Sequence, residues 1–174
     1  MQIIKTLKAL RATRSLLDGS LGLVPTMGAL HAGHTSLVDL SKAQCNYTAV
    51  SIFINPKQFN DTSDLSSYPR NIEADLNLLE EMGVDLVWLP SLEEVYPPNY
   101  QTFVEVRDLS LPLEGAARTG HFTGVATIVA KLLIVFQPQR AYFGRKDAQQ
   151  LAVVNQLAFD LALPVTIIGC PTIR

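Results

Sequence analysis

Only two cysteines occur in the chain, Cys45 and Cys170, and neither sits in a metal or redox spacing. That excludes a zinc ribbon and a Cys-x-x-Cys couple, and fits two small buried hydrophobes in a reducing compartment. Charge is also sparse: Asp, Glu, Lys and Arg make up 17% of the residues, and the net charge is −2. No Lys/Arg cluster is present, so no basic face for tRNA or DNA is expected. The longest apolar run, near residues 125–136, is broken by Thr127 and Lys131 and is too short to span a bilayer. Lys5, Lys8 and Arg11 interrupt the apolar residues of the N-terminus, which therefore does not read as a signal peptide. Both common phosphate fingerprints are missing, the Gly-x4-Gly-Lys-Ser/Thr loop and the Gly-x-Gly-x-x-Gly turn. These absences point to a cytoplasmic protein whose partners are neither nucleic acid nor membrane.

What is present is apolar residue in quantity, 48% of 174 residues, enough for one domain with a core. Apolar spacing predicts a first amphipathic helix over 3–17, ending near Asp18-Gly19. Strand-like runs follow at 21–25, 48–54, 84–89, 140–143 and 165–169. Helical runs lie between them at about 33–45, 71–82, 123–136 and 148–161. The run at 48–54 is β-branched and almost wholly apolar, as in a strand buried on both faces. Residues 61–69 and 91–100 read as loops, 102–106 as a short edge strand, and 114–122 as a glycine-bearing loop. The helix at 123–136 is apolar nearly all round, which means deep burial or a subunit interface. The repeated strand–helix–strand order predicts an α/β fold: a Rossmann-like, doubly wound parallel sheet of about five strands with helices on both faces.

The stretch at 21–37 (Leu-Gly-Leu-Val-Pro-Thr-Met-Gly-Ala-Leu-His-Ala-Gly-His-Thr-Ser-Leu) reads as a strand, a glycine turn and a helix start. Such a join offers unpaired backbone N–H groups and the positive end of a helix dipole, a seat for phosphate. His31 and His34 add donors that are neutral or cationic near pH 7. Three further polar clusters also follow strand-like runs: Asn55 to Gln58, Gly144 to Asp147 with Gln150, and Pro171 to Arg174. In a parallel sheet all four crowd the carboxyl edge, where ligands bind.

Taken singly, each cluster has an ordinary reading. His31 and His34 could be helix-start donors, Gln58 a turn residue, Asp147 a helix cap beside a solvated Lys146, and His121 near Arg118 loop decoration. Zinc held by His31, His34 and His121 is disfavoured, because no Glu accompanies the pair as in His-Glu-x-x-His and Gly33 lies inside it. No metal ligands are assigned.

His-Ala-Gly-His resembles the His-x-Gly-His signature of the nucleotidylyl transferases, the superfamily that includes class I aminoacyl-tRNA synthetases. The longer string Val-Pro-Thr-Met-Gly-Ala-Leu-His-x-Gly-His resembles the pantoate–β-alanine ligases. So do Val-Ser-Ile-Phe-Ile-Asn-Pro-Lys-Gln-Phe, Ser-Tyr-Pro-Arg, Leu-Glu-Gly, Gly-His-Phe-Thr-Gly-Val, Tyr-Phe-Gly-Arg-Lys-Asp-Ala-Gln-Gln-Leu and Cys-Pro-Thr-Ile-Arg, in that family's order and spacing. The resemblance covers nearly the whole chain.

It implies ATP-dependent ligation of pantoate and β-alanine through a pantoyl adenylate, releasing pyrophosphate and AMP. ATP is the co-substrate, with Mg2+ on its phosphates, and a homodimer is expected. Carried over by position, Met27, Gly28, Ala29, Leu30, His31, Ala32, Gly33 and His34 line the ATP site. His34 is the general acid and His31 a phosphate contact. Gly144, Arg145, Lys146 and Asp147 also bind ATP, with Lys146 at the phosphates and catalytic, and Asp147 at the ribose. Ile173 meets adenine through its backbone. Gln58 and Gln150 hold pantoate, with Asn55 beside them. Arg145 stands where some members carry an acidic residue, Ala148 where some carry tyrosine, and Thr35 where an aliphatic residue is common. The resemblance further implies that residues 1–174 are the N-terminal nucleotide- and pantoate-binding domain, without the family's C-terminal lid, binding ligands but turning over poorly. Two alternatives remain: a transferase acting on another small acid or phosphate, and a non-catalytic nucleotide-binding module that dimerises through 123–136.

Overall fold

The computed structural model describes residues 1–173, apart from the Thr62 side chain; Arg174 lies outside them. The chain runs β1 (Gln2–Ile4), α1 (Leu7–Leu16), β2 (Leu21–Thr26), α2 (Ala32–Gln44), β3 (Tyr47–Ile52), a 3-10 turn at Pro56–Gln58, and α3 (Thr62–Ser67). It continues with α4 (Ile72–Glu81), β4 (Leu86–Trp88), α5 (Leu92–Val95), a second 3-10 turn at Asp108–Ser110, and α6 (Glu114–Ala117). Then come α7 (His121–Phe136), β5 (Arg140–Gly144), α8 (Ala148–Asp160) and β6 (Thr166–Cys170).

All paired strands are parallel, in the order β1-β4-β3-β2-β5-β6. Successive strand residues point to opposite faces, so each strand feeds two apolar layers. Leu23, Ala49, Leu86, Trp88, Ala141 and Phe143 point into one layer, built on α1, α7 and α8. Val24, Val50, Val87 and Tyr142 point into the other, built on α2 and α4. Burial on both faces is what lets the strands be almost continuously apolar. The helix at 121–136 resolves as core. Among its residues Ile134 is the exposed large hydrophobe, and the rest of its apolar length lies against the sheet and its neighbours. It is therefore not a free dimerisation face.

The sheet has six strands rather than five. The extra one is β1, which the helical spacing of Ile3 and Ile4 had placed in the first helix. Gln2 N–H donates to Asp85 O and Leu89 N–H to Ile4 O, both at 2.8 Å, which lays this segment beside β4. The Thr6 side chain caps Ala9 N–H, so the helix begins only at Leu7, and Leu16 at its end faces solvent. Two expected loops contain short helices for the same local reason: Asp61 accepts from Ser63 N–H at 2.8 Å, and Ser91 from Glu94 N–H at 3.3 Å. The 114–122 loop likewise contains α6, and α7 starts at His121 rather than Thr123. The edge strand expected at 102–106 does not form. Val104 N–H donates instead to Thr127 Oγ1 of α7 at 3.0 Å.

Gly22 marks how closely α2 and β5 approach β2. A Cβ there would run into Ser41 Oγ and lie 3.0 Å from the Tyr142 ring. Ser41 Oγ is also paired with Thr48 in the core at 2.8 Å. Gly22→Ala is therefore expected to lower unfolding free energy by about 1–3 kcal/mol, read by chemical denaturation. An unchanged midpoint would show that the α2–β2 contact is loose.

Candidate active site

The direction of winding reverses between β2 and β5, and there the sheet opens. β2 pairs with β3 along its whole length, to Thr26–Ile52. β5 pairs with β6 to Gly144–Cys170. Between β2 and β5 the ladder holds only at Gly22–Arg140 and Leu23–Ala141. Beyond that the strands part, next to Pro25, which has no N–H to donate. Two adjoining clefts occupy the opening, of about 180 Å3 and about 190 Å3. Pro25, His34, Phe143, Asp147 and Gln150 line both. The first adds Gln58, Asn55, Met27 and Tyr68 over an apolar wall of α7 residues from Val125 to Leu132. The second adds His31, Gly33, Gly144, Lys146 and Ile173. The parallel sheet thus gathers the four sequence clusters to one edge, with the last represented by Pro171 to Ile173.

The turn between β2 and α2 does not offer the open set of N–H groups expected of it. Gly28 N–H donates to Thr26 Oγ1 at 3.2 Å. Ala29 and Leu30 N–H donate to the two carboxylate oxygens of Asp75, each at 2.8 Å. Gly33 N–H donates to His31 Nδ1 at 3.0 Å and His34 N–H to His31 O at 2.8 Å. Most of the turn's donors therefore have internal partners. Side chains supply the further donors that face the clefts.

His31 and His34 supply them through a reciprocal cap. His31 is the N-cap of α2, and His34 Nδ1 in turn accepts from His31 N–H at 3.4 Å. The rings lie 4.2 Å apart, tilted 44°. With each Nδ1 accepting, the hydrogen-bond pattern assigns the proton of a neutral ring to Nε2, on the opposite edge. A Cβ on residue 33 would lie 2.8 Å from His31 Cε1, which explains the glycine inside the pair. Burial, aided by His31, pushes the His34 pKa from the ordinary 6.5 down to about 4, against the pull of Asp75 and Asp147. His34 is therefore neutral near pH 7. In the ligand-free chain the ring is thus a hydrogen-bond donor through Nε2–H.

On the other side of the opening, Gln58 is braced at both ends. Its Oε1 accepts from Asn55 Nδ2 at 3.0 Å, and its backbone O faces His121 Nδ1 at 2.8 Å. Desolvation holds the His121 pKa below the ordinary value. Asn55 Nδ2 also donates to Gly124 O, while its Oδ1 accepts from Lys57 N–H and Tyr96 OH. All four hydrogen-bonding positions of the Asn55 amide are occupied. Asn55 thus orients Gln58 rather than offering a free group of its own. Gln58 is left with its amide NH2 toward Met27 Sδ, at 3.2 Å, and the cleft.

After β5, Arg145 N–H donates to Cys170 O at 2.8 Å and fixes the bend. Lys146 and Asp147 are exposed at the start of α8. Asp147 holds the N-cap position, yet its carboxylate makes no cap bond, so the ordinary capping reading fails and the group is free.

Two residues of this region went unassigned at the level of sequence. Asp75 is a 4% exposed carboxylate on α4. It shares a helix face with Ile72, Leu76 and Leu79, and a charge on an apolar face was the available signal. Tyr68 ends α3 and lines the first cleft, edge-on to Phe59 at 5.8 Å. Burial, with Asp75 nearby, raises its pKa. Its motif Ser-Tyr-Pro-Arg carried no local chemistry to mark it.

The pantoate-beta-alanine ligase family model matches residues 2–174. The chain is 53% identical over its whole length to a pantothenate synthetase of Herpetosiphon aurantiacus and 52% to one of Roseiflexus castenholzii. It spans 63% of the length of each of these curated relatives. A pantothenate synthetase structure from Thermus thermophilus superposes with TM-score 0.96 at 47% identity, over 100% of this chain and 63% of that one. A pantoate-beta-alanine ligase structure from Francisella tularensis, complexed with beta-gamma ATP and beta-alanine, superposes with TM-score 0.97 at 39% identity, over 100% of this chain and 68% of that one. The chain belongs to the pantoate–β-alanine ligase family.

Proposed function

We propose that these residues bind ATP and pantoate side by side, for the ligation of pantoate with β-alanine. The shared wall of the two clefts carries this reading. An acid in the first and a nucleotide in the second would meet across His34. The pantoate carboxylate then attacks the α-phosphorus, and the bond to the leaving pyrophosphate breaks. The β-alanine amine next attacks the acyl carbon, AMP leaves with its carboxyl-derived oxygen, and the amine gives up a proton. Both steps are governed by placement and by donors to phosphate oxygens.

His34 and His31 donate through Nε2–H, and Lys146 supplies the positive charge. Asp147 takes the ribose hydroxyls, and Ile173 meets adenine. The apolar wall of α7 suits the two methyl groups of pantoate, while Gln58 and Gln150 bind its hydroxyls and carboxylate. Among the described residues no cluster of His, Cys, Asp or Glu could cage a metal. Mg2+ would therefore be held by ATP oxygens and water. No helix among the described residues is long and apolar enough to cross a membrane. The reading extends to a cytoplasmic homodimer.

Calorimetric titration tests the core of the proposal. Pantoate binding should weaken about tenfold to a hundredfold in Gln58→Ala, and Mg-ATP binding by a similar factor in Lys146→Ala. Unchanged affinities in both variants would sink it. Gly124→Ala reaches the same site through the backbone. Its Cβ would overlap the Lys57 carbonyl and lie 2.6 Å from Gln58 N, so pantoate affinity should fall while ATP affinity holds. Equal loss of both ligands would mean general damage.

His34 gives a pH test. In the free chain its ring should titrate near 4, below the ordinary 6.5. Between those values the unfolded chain binds a proton that the folded chain does not. Its contribution to stability is therefore complete above about 6.5 and is lost as pH falls to about 4. ATP phosphates should raise the midpoint. A midpoint near 6.5 without ligand would refute the neutral-donor role.

A further inference from the structure

We propose that Asp75 is the positioning residue of the nucleotide site: from α4 it holds the Ala29–Leu30 turn and thereby aims His31 and His34 into the cleft. This rests on the nucleotide reading above for its purpose, but not for its geometry.

A carboxylate that is 4% exposed needs strong partners to stay charged inside a protein. Asp75 has two, the consecutive N–H groups of Ala29 and Leu30, one on each oxygen at 2.8 Å. Charge-assisted bonds of this kind are stronger than neutral ones. They restrain a turn that would not hold its shape unaided. Gly28 lies at φ +83° and Ala29 at φ +51°, and the latter is a left-handed position that L residues rarely occupy. The turn also lies directly on the carboxylate, since a Cβ on Gly28 would be 2.9 Å from Asp75 Oδ2.

Leu30 leads straight into His31, the N-cap of α2. The direction of both imidazoles follows from the cap, and the entry of the chain into the cap follows from the turn. Asp75 also lies in the first turn of α4, where a negative charge is favoured by the helix. One carboxylate thus ties the start of α4 to the approach of α2, on the face of the sheet that carries both helices.

A merely structural Asp75 would weaken every ligand alike through lost stability. A positioning Asp75 weakens the nucleotide selectively and changes the imidazoles. In Asp75→Asn the amide keeps one acceptor, and its NH2 confronts the second backbone N–H. With the histidines of the 174-residue chain labelled with 15N, the unaltered protein should show both rings as Nε2–H tautomers. Asp75→Asn should mix the tautomers and weaken Mg-ATP binding by about tenfold or more, with pantoate affinity changed less than about twofold. In a His34→Ala background the same substitution should add much less to the loss of ATP affinity.

Unchanged imidazole spectra in Asp75→Asn would overturn the proposal, and so would equal loss of ATP and pantoate. If the unaltered chain gives no ATP signal, the nucleotide reading fails, and the imidazole spectra still decide whether Asp75 aims the rings. If Asp75→Asn does not fold, amide exchange in the unaltered chain decides. Slow exchange at Ala29 and Leu30, matching the core strands, supports the clamp. Exchange at open-loop rates refutes it.

Discussion

Everything at the site depends on the short ladder between β2 and β5. A central pair of parallel strands normally keeps bonding to its ends, since an unpaired buried N–H or C=O is costly. Here it stops at Leu23–Ala141, while each strand stays fully paired on its other side. The outer ladders keep the framework rigid, and the missing inner one makes the opening. The residues that follow β2 and β5 are therefore presented to each other across a gap. Winding reverses at this place, so the helices after the two strands go to opposite faces and neither fills it. Position in the sheet thus precedes any question of which side chains are catalytic.

The opening is nearly neutral rather than strongly cationic. The chain has a net charge of −2, and desolvation lowers the pKa of the half-buried His34 at the shared wall to about 4. The negative carboxylate of Asp75 lies behind the turn, not in front of it, with both oxygens turned to backbone N–H groups. A polyanion entering this site would meet oriented dipoles, one lysine and one free carboxylate, Asp147, instead of a field of positive charge. Preoriented donors need little reorganisation when charge shifts onto an anion's oxygen, and they do not hold a polyanion as a cluster of cations would.

Most of this architecture can be read from apolar periodicity. The strands at 48–54 and 84–89 and the helices after them are legible because burial on both faces leaves an unmistakable run of β-branched and aliphatic residues. What periodicity misreads is short or locally capped. Ile3 and Ile4 fit a helical face as well as a strand, and only the neighbouring β4 decides between them. α3 and α5 hang on single cap bonds from Asp61 and Ser91, too small a signal beside a polar composition. At the site, type and spacing marked four polar clusters, and the family resemblance supplied the roles expected of them. Residues that act on other protein groups left a weaker signal. Asn55 looks like a ligand-binding amide until its four partners are counted. Asp75 looks like one more acid near a helix start until the turn it holds is seen.

The spacing of the two histidines also becomes intelligible. Three residues is the distance from an N-cap to the third helical position, where side chains can cap each other's backbone. Serine and glutamate fill these positions in many helices, but the atoms that cap are then the atoms that would have met a ligand. An imidazole is different, because its two nitrogens lie on separate edges of a rigid ring. One accepts from the helix start while the other remains a donor, pointed away. The cap fixes the tautomer, and the tautomer fixes what the outer edge can do. Gly33 is required between them because the first ring lies over its backbone. The motif sets the helix cap and the direction of the outer ring edges in the same four residues, so neither can be changed without the other.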